Sequence, residues 1–266
     1  MPDRLRFLFV GDIIGQPGRR ALNRFLPWVR EKHSPDFVVA NAENAAGGVG
    51  ITEDVGAELL GQVDVLTSGN HIWDKKEALP YLDREPRLLR PANYPPLNPG
   101  KGSYVLESAK GWKAAILNLQ GRVFMEPLDC PFRVAGEEVE KLRAVTPIVI
   151  VDFHAEATSE KQALGWHLDG KVSAVIGTHT HVPTADERIL PRGTAYITDV
   201  GMAGGYLSVI GIRPEQAVAR FLTARPQRFE PEKKGLVFCS VLIDLDAETG
   251  RALSIRREYF VEEAGE

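Results

Sequence analysis

Cysteine is scarce in this sequence. The chain has two cysteines, Cys130 and Cys239, and they lie far apart. This spacing excludes the dense disulfide framework of small secreted domains. Reduced thiols are typical of proteins that stay in the cytoplasm, and we therefore expect a cytoplasmic location.

Long apolar runs are missing as well. No stretch approaches the roughly 18 uninterrupted apolar residues that a membrane-spanning helix needs. Residues 1–5 lead straight into a strand-like segment, without the apolar region of a secretion signal. We therefore expect neither export nor a membrane partner.

The chain also lacks an excess of basic charge. Its 36 aspartate and glutamate residues outnumber its 32 lysine and arginine residues, which gives a formal net charge of −4. Such a chain offers no broad basic surface, so we expect no long nucleic acid as a partner, and any anion has to be bound locally. The composition is otherwise that of a globular protein, and 266 residues fit one α/β core. We predict a single domain over residues 1–266.

Short apolar runs alternate with helical patterns in the first part of the chain. Apolar runs at residues 6–10, 37–40 and 63–67 are separated by helical spacing at residues 19–32 and by a helix over residues 52–60. Nearly continuous apolar strands indicate a sheet that is covered on both faces. The pattern therefore predicts an α/β protein whose first strands are mostly parallel.

The middle of the chain contains a proline-rich stretch at residues 84–100, which we predict to be a loop crossing the surface. Residues 103–107 and 113–117 flank a turn and predict a hairpin. Further strand-like runs lie at residues 147–151, 172–176, 194–198, 237–245 and 253–260.

Polar side chains directly follow five of these strands. They are Asp12, then Glu43 with Asn44, then Asn70 with His71, then His154, and finally His179 with His181. Ligands of open α/β sheets bind beyond the carboxyl ends of strands, where neighbouring loops can converge. We therefore expect these side chains to meet.

Each of these residues has an ordinary structural explanation when it is considered alone. An aspartate after a strand is more often a turn residue, and asparagines can bind loop amides. A single histidine is more often structural than catalytic. As a group, however, four histidines and two carboxylates behind core strands need partners, because burying them without partners costs free energy. One metal centre explains the whole group.

His179 and His181 are the strongest local signal. In extended backbone, residues two apart send their side chains to the same face, so the pair could reach two adjacent ions. Gly177 before them permits close backbone approach. The glycine pairs at residues 47–48 and 204–205 open no helix in a phosphate-loop pattern, and we interpret them as turns rather than as a substrate loop.

These motifs resemble, in chain order, those of the calcineurin-like metallophosphoesterases: Gly11-Asp12, Gly69-Asn70-His71, His154 and Gly177-Thr178-His179-Thr180-His181. Two positions differ from the general pattern. Ile14 stands where a histidine is usual, and residues 41–44 replace the second Gly-Asp motif. These departures, and the stretch 152–161, resemble a narrower bacterial branch, the YmdB-like proteins, to which 2′,3′-cyclic-nucleotide phosphodiesterase activity is ascribed.

The resemblance implies an α/β fold in which two mixed β-sheets form a layered sandwich flanked by helices. It also implies two ions that share Glu43, with the remaining ligands Asp12, Asn44 and His181 at one ion and Asn70, His154 and His179 at the other. A hydroxide between the ions would attack phosphorus. His71, which is assigned to neither ion, would protonate the leaving oxygen as general acid.

The mixture of oxygen and imidazole donors favours iron or manganese, with zinc as a third candidate, over calcium. We therefore expect a phosphodiesterase that acts on 2′,3′-cyclic nucleotides, with a small phosphodiester or nucleotide as partner; homo-oligomerisation is left open. A nucleotidase or broad-specificity phosphoesterase is the first alternative. The second is a regulatory RNA- or protein-binding module with a structural metal. It would need a basic, aromatic-rich strip, whereas the sequence has scattered groups such as Arg251, Arg256 and Arg257.

Overall fold

The computed structural model describes residues 3–262, and within that range two β-sheets pack against each other with helices on their outer faces. The first part of the chain contains β1 (Arg4–Val10), β2 (Asp12–Ile13), α1 (Gly15–His33), β3 (Phe37–Asn41), α2 (Glu53–Leu60), β4 (Val65–Thr67), one tight helical turn (Asn70–Trp73) and α3 (Ala78–Arg84). The middle contains β5 (Ser103–Glu107), β6 (Lys113–Gln120), α4 (Pro131–Arg143), β7 (Val149–His154), α5 (Thr158–Leu168) and β8 (Ala174–Thr178). The last part contains β9 (Arg188–Ile189), β10 (Ala195–Ile197), β11 (Met202–Gly204), α6 (Pro214–Thr223), β12 (Leu236–Asp246) and β13 (Ala252–Glu262).

Both sheets combine parallel and antiparallel pairs. The first has the order β2-β11-β12-β1-β3-β4, with β13 beside β12; β1, β3 and β4 run parallel, and β12 is antiparallel to β1. The second has the order β5-β6-β7-β8-β10-β9, in which β6, β7, β8 and β10 are parallel and β5 forms the predicted hairpin with β6. This architecture confirms the predicted fold of two mixed sheets flanked by helices.

Alternating side chains of β1 explain its continuous apolar sequence. Phe7 and Phe9 point into the core between the sheets, which they share with Ile150 of the second sheet. Leu8 points to the opposite face and packs with Leu22 of α1. Since successive side chains of a strand leave on opposite faces, a strand between two cores needs apolar residues at every position. The two sheets therefore share one inner core, and the single domain over residues 1–266 stays a prediction.

Helix α1 begins at Gly15, four residues before the predicted start at position 19. Pro17 lies in its first turn, where the missing N–H costs no helical hydrogen bond. The N–H of Gly15 donates to the carbonyl of Asn44 at 2.8 Å, which ties the start of the helix to the loop after β3. No helix within residues 3–262 is long and apolar enough to cross a membrane.

The proline-rich stretch 84–100 is a loop, but its predicted position on the surface is wrong for part of it. Leu88 and Leu89 are fully buried, and Leu89 belongs to the core between the sheets. The Ser68 hydroxyl donates to the Leu89 carbonyl at 2.6 Å, so the buried backbone keeps a partner. Leu89 therefore packs between the sheets, and Leu88 packs in the core that the first sheet shares with α1.

Candidate metal centre

Polar side chains from both sheets meet at one end of the sandwich. Asp12 lies in β2, Glu43 follows β3, His154 ends β7 and His179 follows β8. Glu43, His154 and His179 each offer a ligand atom, and these atoms lie within 4.8 Å of one another. The strand ends therefore converge, as the sequence predicts.

Glu43 lies at the centre of this group. Its Oε1 is 3.0 Å from His154 Nε2 and accepts a hydrogen bond from Asn44 Nδ2 at 3.1 Å, while Oε2 accepts the backbone N–H of His71 at 3.0 Å. Burial opposes ionisation of Glu43, but the charge and hydrogen bonds of His154 and His71 outweigh it and hold its pKa at about 2. Glu43 is therefore a buried carboxylate that contacts both His154, at the end of β7, and His71, in the turn after β4.

His154 is oriented by a chain of hydrogen bonds on the side away from Glu43. Its Nδ1 lies 2.9 Å from Thr178 Oγ1, and that hydroxyl donates to Asp152 Oδ1 at 2.7 Å. Because the hydroxyl proton is used on Asp152, Nδ1 of His154 must be the donor. This arrangement turns Nε2 towards Glu43 and His179 Nδ1, both 3.0 Å away. Burial by itself lowers the pKa of His154. The nearby carboxylates of Glu43, Asp12 and Asp152 have a larger opposite effect and raise this pKa to about 9.

His179 and His181 reach the group by a different backbone from the one that the sequence predicts. Strand β8 ends at Thr178, and the two histidines have φ angles of 100° and 64°, so the extended-backbone argument is wrong. A turn begins here because Asp199 accepts the backbone N–H of Thr180 at 3.1 Å. The side chains nevertheless enter the same group. Burial and the nearby His154 lower the pKa of His179 to about 3, which leaves its imidazole neutral.

Asp12 is fully buried. Its Oδ2 accepts the backbone N–H of His179 at 3.2 Å, whereas Oδ1 has no hydrogen-bond partner among the described residues. Oδ1 lies 3.9 Å from His181 Nε2, and that nitrogen lies 3.3 Å from Asn44 Nδ2. Burial raises the pKa of Asp12. A buried oxygen without a partner is costly and fits a position next to a cation.

Asn70 and His71 approach from the tight turn after β4. The side-chain oxygen of Asn70 is also buried without a partner in residues 3–262, and the side chain makes no hydrogen bond to the group. His71 is 39% exposed, and its Nδ1 lies 2.7 Å from Asp74 Oδ2. Gly69 precedes them because a Cβ there would overlap the His154 imidazole.

The donors fit transition-metal ions. In a tetrahedral site with metal–nitrogen bonds of about 2.0–2.1 Å, neighbouring donors are roughly 3.3 Å apart. The 3.0 Å separations of His154 Nε2 from Glu43 Oε1 and from His179 Nδ1 are close to that spacing. The unpartnered oxygens of Asp12 and Asn70 add two further donors. Rotating the side-chain amide of Asn44 by half a turn would point its Oδ1, instead of its Nδ2, towards His181. Asn44 would then also offer an oxygen donor.

An ion pair behind the site was not predicted from the sequence. Lys161 of α5 donates to Asp199 Oδ2 at 2.7 Å and to the Thr178 carbonyl at 2.6 Å, and the Lys161 and Asp199 side chains are each 1% exposed. Asp199 also accepts the N–H groups of Thr180 and Gly201. The pair therefore fixes the backbone on both sides of His179. The one hint of this pair in the sequence was that Lys161 ends the stretch 152–161, which carries part of the family resemblance.

A cavity of about 810 Å³ opens over the group. Glu43, Asn44, His71, His179 and His181 line it. Residues 228–231, Ile210 and Ile212 also line it. The turn at residues 47–49 contributes to the lining, so this glycine pair does border the cavity, whereas residues 204–205 do not line it.

Comparison with known proteins gives consistent matches along the chain. A sequence model described as YmdB-like protein matches residues 8–257. A 2′,3′-cyclic-nucleotide 2′-phosphodiesterase of Bacillus subtilis is 49% identical over 95% of this chain and 96% of its own length. A protein structure from Thermus thermophilus is 44% identical, with a TM-score of 0.90 over 97% of this chain and all of that chain. A structure described as a novel phosphatase of Mycoplasma pneumoniae is 38% identical, with a TM-score of 0.93 over 99% and 96% of the two chains.

Proposed function

The chain is a hydrolytic phosphoesterase that belongs to the YmdB-like family, and we propose that it is a metal-dependent phosphodiesterase acting on 2′,3′-cyclic nucleotides. The observation that carries the proposal is the convergence of Glu43, His154 and His179 within 4.8 Å beneath an open cavity. The activity named for the Bacillus subtilis relative supports the proposed substrate class.

We assign the candidate ligands to two ions. Asp12, Glu43, Asn44 and His181 would hold the first, and Glu43, Asn70, His154 and His179 the second. Iron or manganese suits these oxygen and imidazole donors, and zinc is the third candidate. When bound, two such ions supply positive charge for the phosphoryl oxygens and activate a water for attack on phosphorus.

His71 is the proposed general acid. It lines the cavity and is partly exposed, so its imidazole is accessible to a substrate. Asp74 Oδ2 lies 2.7 Å from Nδ1 and orients the ring, which leaves Nε2 free to donate a proton to the departing ribose oxygen. The backbone N–H of His71 meanwhile binds Glu43, so the acid and the ligand keep a fixed relative position.

The charges around the cavity suit an anionic substrate. Lys75 and Arg228 line it and form no salt bridge among the described residues. Of the acidic lining residues, Glu43 lies within the candidate centre and Glu230 pairs with Arg213 at 2.9 Å, while Glu156 lies 3.1 Å from the neutral His179, so the two cations still outnumber the one carboxylate without a cationic partner. The wall therefore presents unpaired positive charge, which binds a phosphodiester locally although the whole chain is acidic.

Cellular location and assembly belong to the proposal as well. Cys130 and Cys239 are free thiols, as expected for a protein of the reducing cytoplasm. Burial raises the pKa of Cys239 to about 12, so this thiol is inert rather than catalytic. We propose a cytoplasmic enzyme with a small phosphodiester or nucleotide substrate, and homo-oligomerisation stays open.

The test combines elemental analysis with a substrate panel. Purified protein is loaded with iron, manganese or zinc and assayed with 2′,3′-cyclic AMP, 3′,5′-cyclic AMP and AMP. We expect about two ions per chain and a clear preference for 2′,3′-cyclic AMP. Hydrolysis of AMP without the cyclic substrate would identify a nucleotidase instead. A metal-loaded protein inactive on all three would favour the binding module.

A further inference from the structure

The cavity is lined by residues other than the predicted ligands, and three of them, Ile210, Ile212 and Phe229, have no role in the chemistry proposed above. This part of the lining begins directly beside the candidate centre, because His181 Nδ1 lies 2.8 Å from the Ile210 carbonyl. A substrate whose phosphate lies at the ions therefore occupies the same cavity as these three side chains.

Phe229 is the one phenyl side chain that lines the cavity among the described residues. It is 43% exposed, and the neighbouring Ile210 is 44% exposed. An aromatic ring and an aliphatic side chain open to solvent in one concave site form an apolar surface that a flat ligand can cover. The ring is therefore available for stacking.

The backbone next to Phe229 is held in place although it lies outside any helix or strand. The N–H of Glu230 donates to Gln216 Oε1 at 2.8 Å, and the carbonyl of Glu230 accepts the N–H of Arg213 at 3.1 Å. The N–H of Glu232 donates to the Gly211 carbonyl at 2.8 Å. The segment is thus tied to the same loop that carries Ile210, so the ring and the candidate centre are connected through fixed backbone.

We propose that Phe229, with Ile210 and Ile212, forms a nucleobase subsite that makes this phosphodiesterase select nucleotides over other cyclic phosphodiesters. The inference rests on the proposed function and names the part of the substrate that these three side chains bind. Every base has a π-face, so stacking on a phenyl ring tolerates all four bases. The subsite therefore predicts that the adenine, guanine, cytosine and uracil 2′,3′-cyclic nucleotides have similar KM values.

The experiment measures steady-state kinetics of metal-loaded wild type and Phe229→Ala with two substrates. One is 2′,3′-cyclic AMP, and the other is glycerol 1,2-cyclic phosphate, which has the same reacting ring but no base. Base–aromatic stacking of about 1–3 kcal/mol corresponds to a rise in KM of roughly 5- to 150-fold for 2′,3′-cyclic AMP. We expect its kcat, and both constants for the glycerol compound, to stay unchanged. Phe229→Trp should keep the low KM.

Phe221→Ala is the matched control, because Phe221 is 83% exposed on α6 and does not line the cavity. It should leave both substrates unaffected. An unchanged KM for 2′,3′-cyclic AMP in Phe229→Ala, or an equal loss with both substrates, would overturn the subsite.

A binding measurement separates the subsite from the proposed function. Equilibrium titration with 3′-AMP should show weaker binding to Phe229→Ala than to wild type, even in protein that turns over neither cyclic phosphate. That combination would refute the activity and retain the subsite. Equal binding of 3′-AMP by both proteins would refute the subsite whatever the activity.

Discussion

Glu43 and His71 touch through a single backbone hydrogen bond, yet their proposed roles differ. Glu43 is a fully buried carboxylate in contact with His154, whereas His71 is partly exposed at the cavity. Removing the Glu43 side chain should affect ion binding, and removing the His71 side chain should affect proton transfer. Substitution can therefore separate binding from chemistry at neighbouring positions.

His71→Ala is expected to keep its metal and to lose roughly 10²–10⁴-fold in kcat, the usual contribution of a placed general acid. Glu43→Ala should lose metal as well, because it removes the carboxylate between the two sets of donors. Elemental analysis beside kinetics measures both effects. A fully active His71→Ala protein would refute the acid assignment.

Asp74→Asn tests the orientation of that acid. Asp74 Oδ2 lies 2.7 Å from His71 Nδ1, and both side chains are about two-fifths exposed, so the change should have little effect on stability. We expect kcat to fall by roughly tenfold while metal content stays constant, since a carboxylate that orients an active-site histidine commonly contributes about 10–100-fold. The matched control is Glu77→Gln, an exposed carboxylate on the same stretch. Equal kcat values for Asp74→Asn and Glu77→Gln would show that Asp74 does not orient His71 for catalysis.

At the scale of secondary structure, the sequence predicted which strands end at the site but not how the chain turns there. Apolar runs identify β1, β3, β7 and β8, because strands between two cores need apolar residues on both faces. The left-handed backbone at His179 and His181 depends on Asp199, a contact distant in sequence that no local pattern encodes. The buried Leu88 and Leu89 were missed for a similar reason: the neighbouring prolines describe the backbone, whereas burial depends on the sheets around it.

The Lys161–Asp199 pair is predicted to stabilise the loops that carry His179 and His181. Lys161→Met leaves Asp199 buried without its charge partner, and breaking such a pair costs about 3–5 kcal/mol. We expect a lower melting temperature and, at a temperature where the variant is folded, weaker metal binding by isothermal titration.

Arg6→Met is the control for that variant. Arg6 pairs with Asp244 at 2.7 Å away from the site, and Asp244 keeps Arg4 at 2.9 Å. This variant should also lose stability, because Arg6 additionally donates to the His33 carbonyl at 2.6 Å, but it should bind metal like wild type. Equal metal affinity in Lys161→Met and Arg6→Met would show that the Lys161 pair acts on stability alone.

For the whole molecule, the metal-free protein is predicted to lose stability as the pH rises from about 6.5 to about 9. Folded His154 keeps its proton up to a pKa of about 9, whereas an unfolded histidine releases it near 6.5. The resulting stabilisation is fully present below pH 6.5 and is lost as the pH passes through 9. Burial raises the pKa of Asp152 to about 7, which acts in the same direction up to that pH.

Thermal unfolding in the presence of a chelator, at pH values from about 6 to 9, measures this dependence. In metal-loaded protein the dependence should weaken or reverse, because a ligand histidine binds its ion without a proton. A chelated protein with the same melting temperature across the range would contradict the prediction.

The candidate centre takes Asp12 and Glu43 from the segments of the first sheet and His154 and His179 from those of the second. A cation held by Glu43 together with His154 and His179 would be a cross-link between the layers, and they could not separate at this end without releasing it. Chelation should therefore speed amide hydrogen exchange at the ends of β3 and β7 together, because losing the ion would allow both layers to open locally.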